Sequence, residues 1–267
     1  QVLGVITSSG QRDALLLQEH ADWCFIQNHH DIIYTDESLL PDSYPYCHQG
    51  DEVVLISHTS GTTGAIKGVV QKHAHLAYGI HQFLQQRPDF SIQPTFNGDH
   101  GYLSLLPTAH NSFLAYSMRA LLTNTRMTVV CDLRPESIAH QVRKHQPSVV
   151  VGFFIAYQNL VNATVDAECF ASVGYWINTG DAAHQPYIKQ VTAWGHHCAD
   201  EKMISGSIFL DGLGSSEMGS TFFRLAHSQK TRHPLRCVGP VRDGFYAAIL
   251  CEDGTSLGDY EVGQLGV

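Results

Sequence analysis

No window of about eighteen apolar residues occurs anywhere in the 267-residue sequence, so no membrane-spanning helix is expected. There is no run of basic residues either, and the formal net charge is −9, which argues against a nucleic-acid-binding surface. Cysteine pairs at C-x-x-C spacing are missing. The seven cysteines (24, 47, 131, 169, 198, 237 and 251) are odd in number and scattered, so neither a zinc ribbon nor a disulfide framework is indicated. Reduced thiols in a cytoplasmic protein are the economical expectation. Gln1 to Ile6 lacks a cationic flank and runs into polar Thr7-Ser8-Ser9-Gly10, the pattern of a strand and turn rather than of a secretory leader. Internal repeats and low-complexity segments are absent.

The hydrophobic fraction of 43% is that of an ordinary globular protein, and the length is enough for a sizeable core. Seventeen histidines are many, and His29-His30 and His196-His197-Cys198 invite a metal. Adjacent residues on regular structure point in different directions, so such pairs seldom share one ion, and no protein-bound transition metal is expected. A metal-binding or redox protein has composition alone behind it.

Hydrophobic periodicity gives a strand at 2–6, a helix at 11–21, short strands at 23–27 and 32–34, and a linker at 36–51 rich in Pro, Ser, Asp and Tyr. Glu52 to Ile56 reads as a buried strand, His75 to Gln86 as a helix stopped by Pro88, and Tyr102 to Pro107 as a strand. Helices are expected at 113–122, 132–145 and 185–194. Strands are expected at 127–131, 148–154, 173–178, 207–210 and 245–250, and a last one closes the chain. Alternating strands and helices imply right-handed βαβ crossovers and a mostly parallel, helix-covered α/β sheet. After Arg236 the texture changes to short strands around an Asp-Gly turn, Asp253-Gly254, which suggests the start of a small β-barrel-like lobe. The expected division is therefore an α/β part at 1–235 and a β lobe at 236–267.

Between the strand at 52–56 and the next helix lies Ser57-His58-Thr59-Ser60-Gly61-Thr62-Thr63-Gly64-Ala65-Ile66-Lys67-Gly68-Val69. Its glycines let the backbone adopt positive φ and approach a ligand closely. Successive N–H groups in such a turn form an anion-binding concavity, to which the hydroxyls add donors and Lys67 a positive charge. The Gly61-x-x-Gly64-x-x-Lys67 spacing is not that of the Walker A loop, and Gly68 stands where that loop has Ser or Thr. A run of this kind in isolation is more often a surface turn that satisfies its own backbone. Here it is longer and more particular, and it suits a nucleotide polyphosphate.

The run resembles the phosphate-loop signature T-S-G-[ST]-T-G-x-x-K-G-V of the adenylate-forming superfamily. That family contains acyl- and aryl-CoA synthetases, peptide-synthetase adenylation domains and luciferase. Ile66 replaces the usual proline. Five further stretches are similar to family motifs, in the family's order. Leu105-Leu106-Pro107-Thr108-Ala109-His110-Asn111 matches L-P-x-x-H, and Asn178-Thr179-Gly180-Asp181-Ala182 matches the G-G-[AE] turn. Asp211-Gly212-Leu213-Gly214-Ser215-Ser216-Glu217 looks most like the version in benzoate-type ligases. Gly239-Pro240 with Glu261-Val262-Gly263-Gln264-Leu265 resembles two scaffold elements. Without a family context each of these is an ordinary cap, turn or βα connection.

The resemblance implies ATP-dependent activation of a carboxylic acid as an acyl-adenylate, then transfer to a thiol, coenzyme A or a carrier pantetheine. By it Thr59, Ser60, Gly61, Thr62, Thr63, Gly64 and Lys67 would cradle phosphates, with Lys67, Thr62 and Glu217 in catalysis. Asp211, Gly212 and Leu213 would flank the adenine, Ser216 would contact the α-phosphate, and Glu217 would hold Mg²⁺. His110, Asn111, Gly180, Asp181 and Gly214 would line the acid pocket. The amino-acid-activating members carry an aspartate where this chain has Asn111, so an α-ammonium would be poorly held there. An aromatic acid is therefore the expected substrate. A medium- or long-chain fatty acid, carrier-protein loading, and a non-catalytic nucleotide- or acyl-binding module are the alternatives. By the same resemblance the chain is a partial large domain, without the T-G-D motif, hinge and mobile C-terminal catalytic domain, and is expected to be catalytically crippled by itself.

Overall fold

The computed structural model describes residues 4–6, 24–26, 47–58, 67–85, 101–199, 202–234 and 237–267. The helix expected at 11–21, the strand at 32–34, residues 36–46 of the linker, loop residues 59–66 and the Pro88 stop lie outside these. The chain separates into two compact units, Gln1–His48 and Gln49–Val267. In the first, β1 (Gly4–Ile6) pairs in parallel with β2 (Cys24–Ile26).

The second unit is built on a six-stranded sheet. Its strands are β5 (Gly101–Ser104), β6 (Arg126–Val129), β7 (Val149–Gly152), β8 (Tyr175–Asn178), β11 (Ile208–Ser215) and β12 (Ser220–His227). The spatial order is β12-β11-β8-β7-β5-β6, parallel throughout except for the antiparallel β11–β12 pair. The mostly parallel sheet expected from the βα alternation is thus present. Strand register sets Leu103, Val150, Trp176 and Phe209 side by side in one row across the sheet. All four are fully buried.

Successive strand residues face opposite ways, which divides the core in two. The row above packs with Ile138 and Val142 of α3 (Pro135–His145), Tyr157 and Leu160 of α4 (Phe154–Asn162), and Ile188 and Val191 of α5 (Gln185–Val191). On the other face Tyr102, Val149 and Val151 pack with Tyr116 and Ala120 of α2 (Asn111–Leu122). Both faces of the strands are therefore covered, which is why β5 and β7 are buried at every position rather than at alternate ones.

The topology fixes where a ligand can enter. From β5 the chain passes through α2 to β6 on one side, whereas from β7 it passes through α4 to β8 on the other. The helices leave on opposite faces, so a crevice opens beyond the carboxyl ends of β5 and β7 at this switch point.

Three expectations change. The strand expected at 148–154 ends at Gly152, because Phe154 starts α4, a helix the apolar run concealed. A Cβ at Gly152 would lie 3.0 Å from Leu105 Cβ and 3.3 Å from the Tyr157 hydroxyl, so the close approach favours glycine. Helix α3 begins at Pro135 rather than 132, since the Asp132 carboxylate turns back to Arg134, 2.6 Å from its Nη2. The strand expected to be buried at 52–56 is β3 (Val53–His58), which forms an antiparallel pair with β4 (Gly68–Lys72) and leads into α1 (His73–Gln85). Its outer side chains are open: Val53 is 53% and Ile56 66% exposed. Only the face carrying Ser57 and Gln71 is buried. Two further antiparallel pairs, β9 (His196–Ala199) with β10 (Lys202–Ser205) and β13 (Ala248–Leu250) with β14 (Gln264–Gly266), complete the unit. No helix among the described residues is long and apolar enough to cross a membrane.

Candidate active site

A cavity of about 960 Å³ fills the switch-point crevice. Pro107 and Ala109 to Ser112 after β5, Phe153 to Ile155 after β7, Thr179 to Asp181 after β8, and Gly212 with Gly214 to Glu217 at the β11 end supply its walls. Lys67 and His58 of the β3–β4 hairpin and one stripe of α2 close it. Motifs more than a hundred residues apart in sequence are thus gathered at the carboxyl edge of one sheet.

His110 caps α2. Its Nδ1 accepts the Ser112 N–H at 3.2 Å, and its ring meets Phe153 edge-to-face at 4.8 Å. Burial, and secondarily the nearby His58, lower the His110 pKa. An imidazole that accepts at Nδ1 and is biased toward neutrality carries its proton on Nε2, so it offers the cavity a donor. Beside it the Oδ1 of Asn111 is buried without a hydrogen-bond partner, and so is the Thr179 hydroxyl. Orphaned polar atoms in a cavity wall are what a bound polar ligand would satisfy.

Gly180 has to be glycine: a Cβ there would stand 2.8 Å from the Phe153 ring. Gly212 is similarly constrained, 2.8 Å from Thr221 Cγ2. Ser216 and Glu217 sit in the turn between β11 and β12. Gln71, 1% exposed on β4, holds that turn by donating Nε2–H to the Ser216 carbonyl at 2.7 Å. The Gly219 N–H reaches the same carbonyl at 3.1 Å. The Glu217 carboxylate is exposed and faces the cavity.

Of the sequence-derived candidates, Lys67, His110, Asn111, Gly180, Asp181, Gly212, Gly214, Ser216 and Glu217 line this one cavity. Asp211 and Leu213 do not line it. The Asp211 carboxylate instead accepts the Asn178 Nδ2–H at 2.8 Å and the Ala183 N–H at 3.4 Å, which braces the β8 and β11 ends against each other. Thr59, Ser60, Gly61, Thr62, Thr63 and Gly64 lie outside the described residues; the loop's two flanks, His58 and Gly68, are paired in register. Sequence reasoning missed Gln71, Arg119, Gln158 and Thr179. Helical spacing from Asn111 through Ala115 to Arg119 could have found Arg119, because it continues the stripe one side of α2 presents. Nothing in the sequence marks Gln71.

A cavity at an α/β switch point, with a lysine and a carboxylate on its walls and glycines where backbone must come close, defines a nucleotide-binding class of protein. The chain belongs to the AMP-binding enzyme family, which it matches over residues 8–267. It is 34% identical over 233 residues to a 3-aminoavenalumate diazotase of Streptomyces sp., covering 85% of this chain and 40% of that protein. It is 25% identical over 223 residues to the p-hydroxybenzoic acid–AMP ligase FadD22 of Mycobacterium marinum, covering 82% of this chain and 29% of that one. The chain thus spans well under half the length of these relatives. Its fold is shared with O-succinylbenzoate coenzyme A synthetase of Bacillus subtilis, solved with ATP and magnesium ion, at a TM-score of 0.75 and 18% identity over 98% of this chain and 49% of the other. A benzoate CoA ligase of Burkholderia xenovorans gives 0.73 at 18% identity, with 98% and 50% covered. The fold is that of the adenylate-forming large domain.

Proposed function

We propose that this chain is the nucleotide- and acid-binding part of an enzyme that activates an aromatic carboxylic acid with ATP and passes it to a thiol, coenzyme A or a carrier pantetheine. The observation that carries this is the single cavity. Lys67, Ser216 and Glu217 share its wall with His110, Asn111 and Gly180. In the reaction a carboxylate oxygen attacks the α-phosphorus of ATP, the bond to the bridging oxygen breaks, and acyl-adenylate and pyrophosphate result. Lys67 neutralises charge on the phosphates, and residues 59–64 supply uncharged donors to them. The exposed Glu217 carboxylate is a hard oxygen donor of the kind Mg²⁺ takes, so it fits the ion, which when bound supplies charge neutralisation to the phosphate oxygens. His110 Nε2–H and the Asn111 side chain orient the acid. The protein's work is positioning.

Pyrophosphate exchange into ATP with a panel of carboxylic acids tests this. Exchange that depends on aromatic acids, and falls at least tenfold in Glu217→Gln, is expected. Aromatic-acid-independent exchange, or an indifferent Glu217→Gln, would sink the reading.

The 34% identity to a diazotase favours a second reading, in which nitrite replaces the carboxylate at the phosphorus. An aromatic amine would then take the nitroso group from the adenylate with release of AMP, and lose water to give a diazonium. Exchange that requires nitrite instead of an organic acid would select it.

A further inference from the structure

The cavity continues past His110 and Asn111 along α2. Asn111, Ala115, Tyr116 and Arg119 succeed one another on its wall. Arg119 lies eight positions along the helix from Asn111, about 12 Å along the axis. That depth exceeds a single aromatic ring with its carboxylate.

Arg119 brings a cation to this stretch of the wall, and Arg242 and Arg224, which do not line the cavity, lie near it. The Arg119 guanidinium lies over the Tyr116 ring, its carbon 4.9 Å from the ring centre. Arg242 donates Nη1–H to the carbonyl of Thr221 at 2.7 Å, and Thr221 is itself a wall residue facing Gly212. Arg224 stands opposite Gly212 in the β11–β12 register. Burial first, then Arg224 and Arg119, pull the Arg242 pKa down to about 10, with Tyr116 and Asp243 opposing. Arg119 and Arg224 thus stand near enough to Arg242 to disfavour its charge. An arginine in the last turn of a helix also complements the helix dipole. That role needs only an exposed side chain, whereas Arg119 is half-buried in the cavity wall.

We infer that Arg119 is the specificity-determining residue of a distal anion subsite, and that the natural substrate is an elongated aromatic compound carrying a second carboxylate remote from its reacting group. A planar guanidinium braced on an aromatic face is pre-organised for a carboxylate, and the added positive charges raise the local potential for it. This rests on the aromatic-substrate reading above.

The test uses calorimetric titration of the 267-residue chain, with Mg²⁺ and a non-hydrolysable ATP analogue present, by 4-carboxycinnamate, its 4-methyl ester, and cinnamate. The wild type is expected to bind the diacid at least tenfold more tightly than the ester of equal length. Arg119→Gln should abolish that preference while leaving cinnamate affinity unchanged, and Arg119→Lys should retain part of it. Equal affinities for diacid and ester in the wild type would overturn the inference, as would a preference that survives Arg119→Gln. Should Arg119→Gln fail to fold, the wild-type comparison and Arg119→Lys still decide. Were the nucleotide bound but no aromatic acid, the aromatic-substrate reading would fall and this inference with it; binding of cinnamate without diacid preference removes the inference alone.

Discussion

Gln71 offers the sharpest test of how the site is held together. It is 1% exposed, and its amide crosses 145 residues of sequence to the Ser216 carbonyl. Substituting methionine keeps the length and removes the donor. The Ser216 carbonyl is not orphaned, because the Gly219 N–H still reaches it at 3.1 Å, and the methionine buries no polar atom. The cost therefore belongs at the low end for a lost hydrogen bond, about 1 kcal/mol. In a chain of this size that lowers the melting temperature by roughly 2–4 °C. Glutamate at the same place should cost clearly more, since it sets a carboxylate against the carbonyl it replaces a donor for. If the turn's order also supports nucleotide binding, the same loss weakens Mg²⁺-dependent ATP affinity by at most about fivefold. Differential scanning calorimetry and an ATP titration with and without Mg²⁺ measure both. Equal melting of wild type, methionine and glutamate variants would show that the tie carries no energy.

The other predictions concern the core and pH. Trp176, fully buried, donates Nε1–H to Ser207 Oγ at 2.9 Å, and Ser207 donates its own O–H to the Val191 carbonyl. Ser207→Ala should cost about 1–3 kcal/mol by leaving the indole N–H unsatisfied, and chemical denaturation checks it; a loss under a few tenths would contradict the buried pairing. The lowered His110 pKa means the folded chain binds fewer protons than the unfolded one as pH falls past the ordinary imidazole value of 6.5. Stability from this residue is thus present above that value and lost as pH drops below it, while protonation also removes the Nδ1 acceptor that caps α2. His110→Asn keeps a capping side chain without a titrating group, so its melting temperature should fall less steeply on acidification through this window. A slope equal to wild type would assign the dependence to other groups; His227, lowered by burial and His233, titrates in the same sense.

Local sequence determined the chemistry-bearing pieces of this protein and most of its strand and helix placements. The cap at His110, Gly180 and the Ser216-Glu217 turn are legible because each rests on residue types with one dominant physical use: a capping side chain, glycine for close backbone approach, a carboxylate at a turn. The parallel sheet follows from β7's unbroken Val149-Val150-Val151, which only a doubly covered strand can bury. Tertiary structure decided the rest. Periodicity cannot separate an apolar strand from a buried helix that follows directly, so α4 was hidden behind Gly152. Exposure of β3 was equally invisible, because the apolar run Val53 to Ile56 does not say whether a second sheet covers it. Asp211 reads as a site residue by position, yet strand pleating turns it away from the cavity that Gly212 faces, and it becomes a brace between β8 and β11. Gln71 and Arg119 gain their meaning only from packing: one from a turn far along the chain, the other from the depth of a cavity that α2 lines. Such roles depend on what lies across a gap, and no local pattern records that.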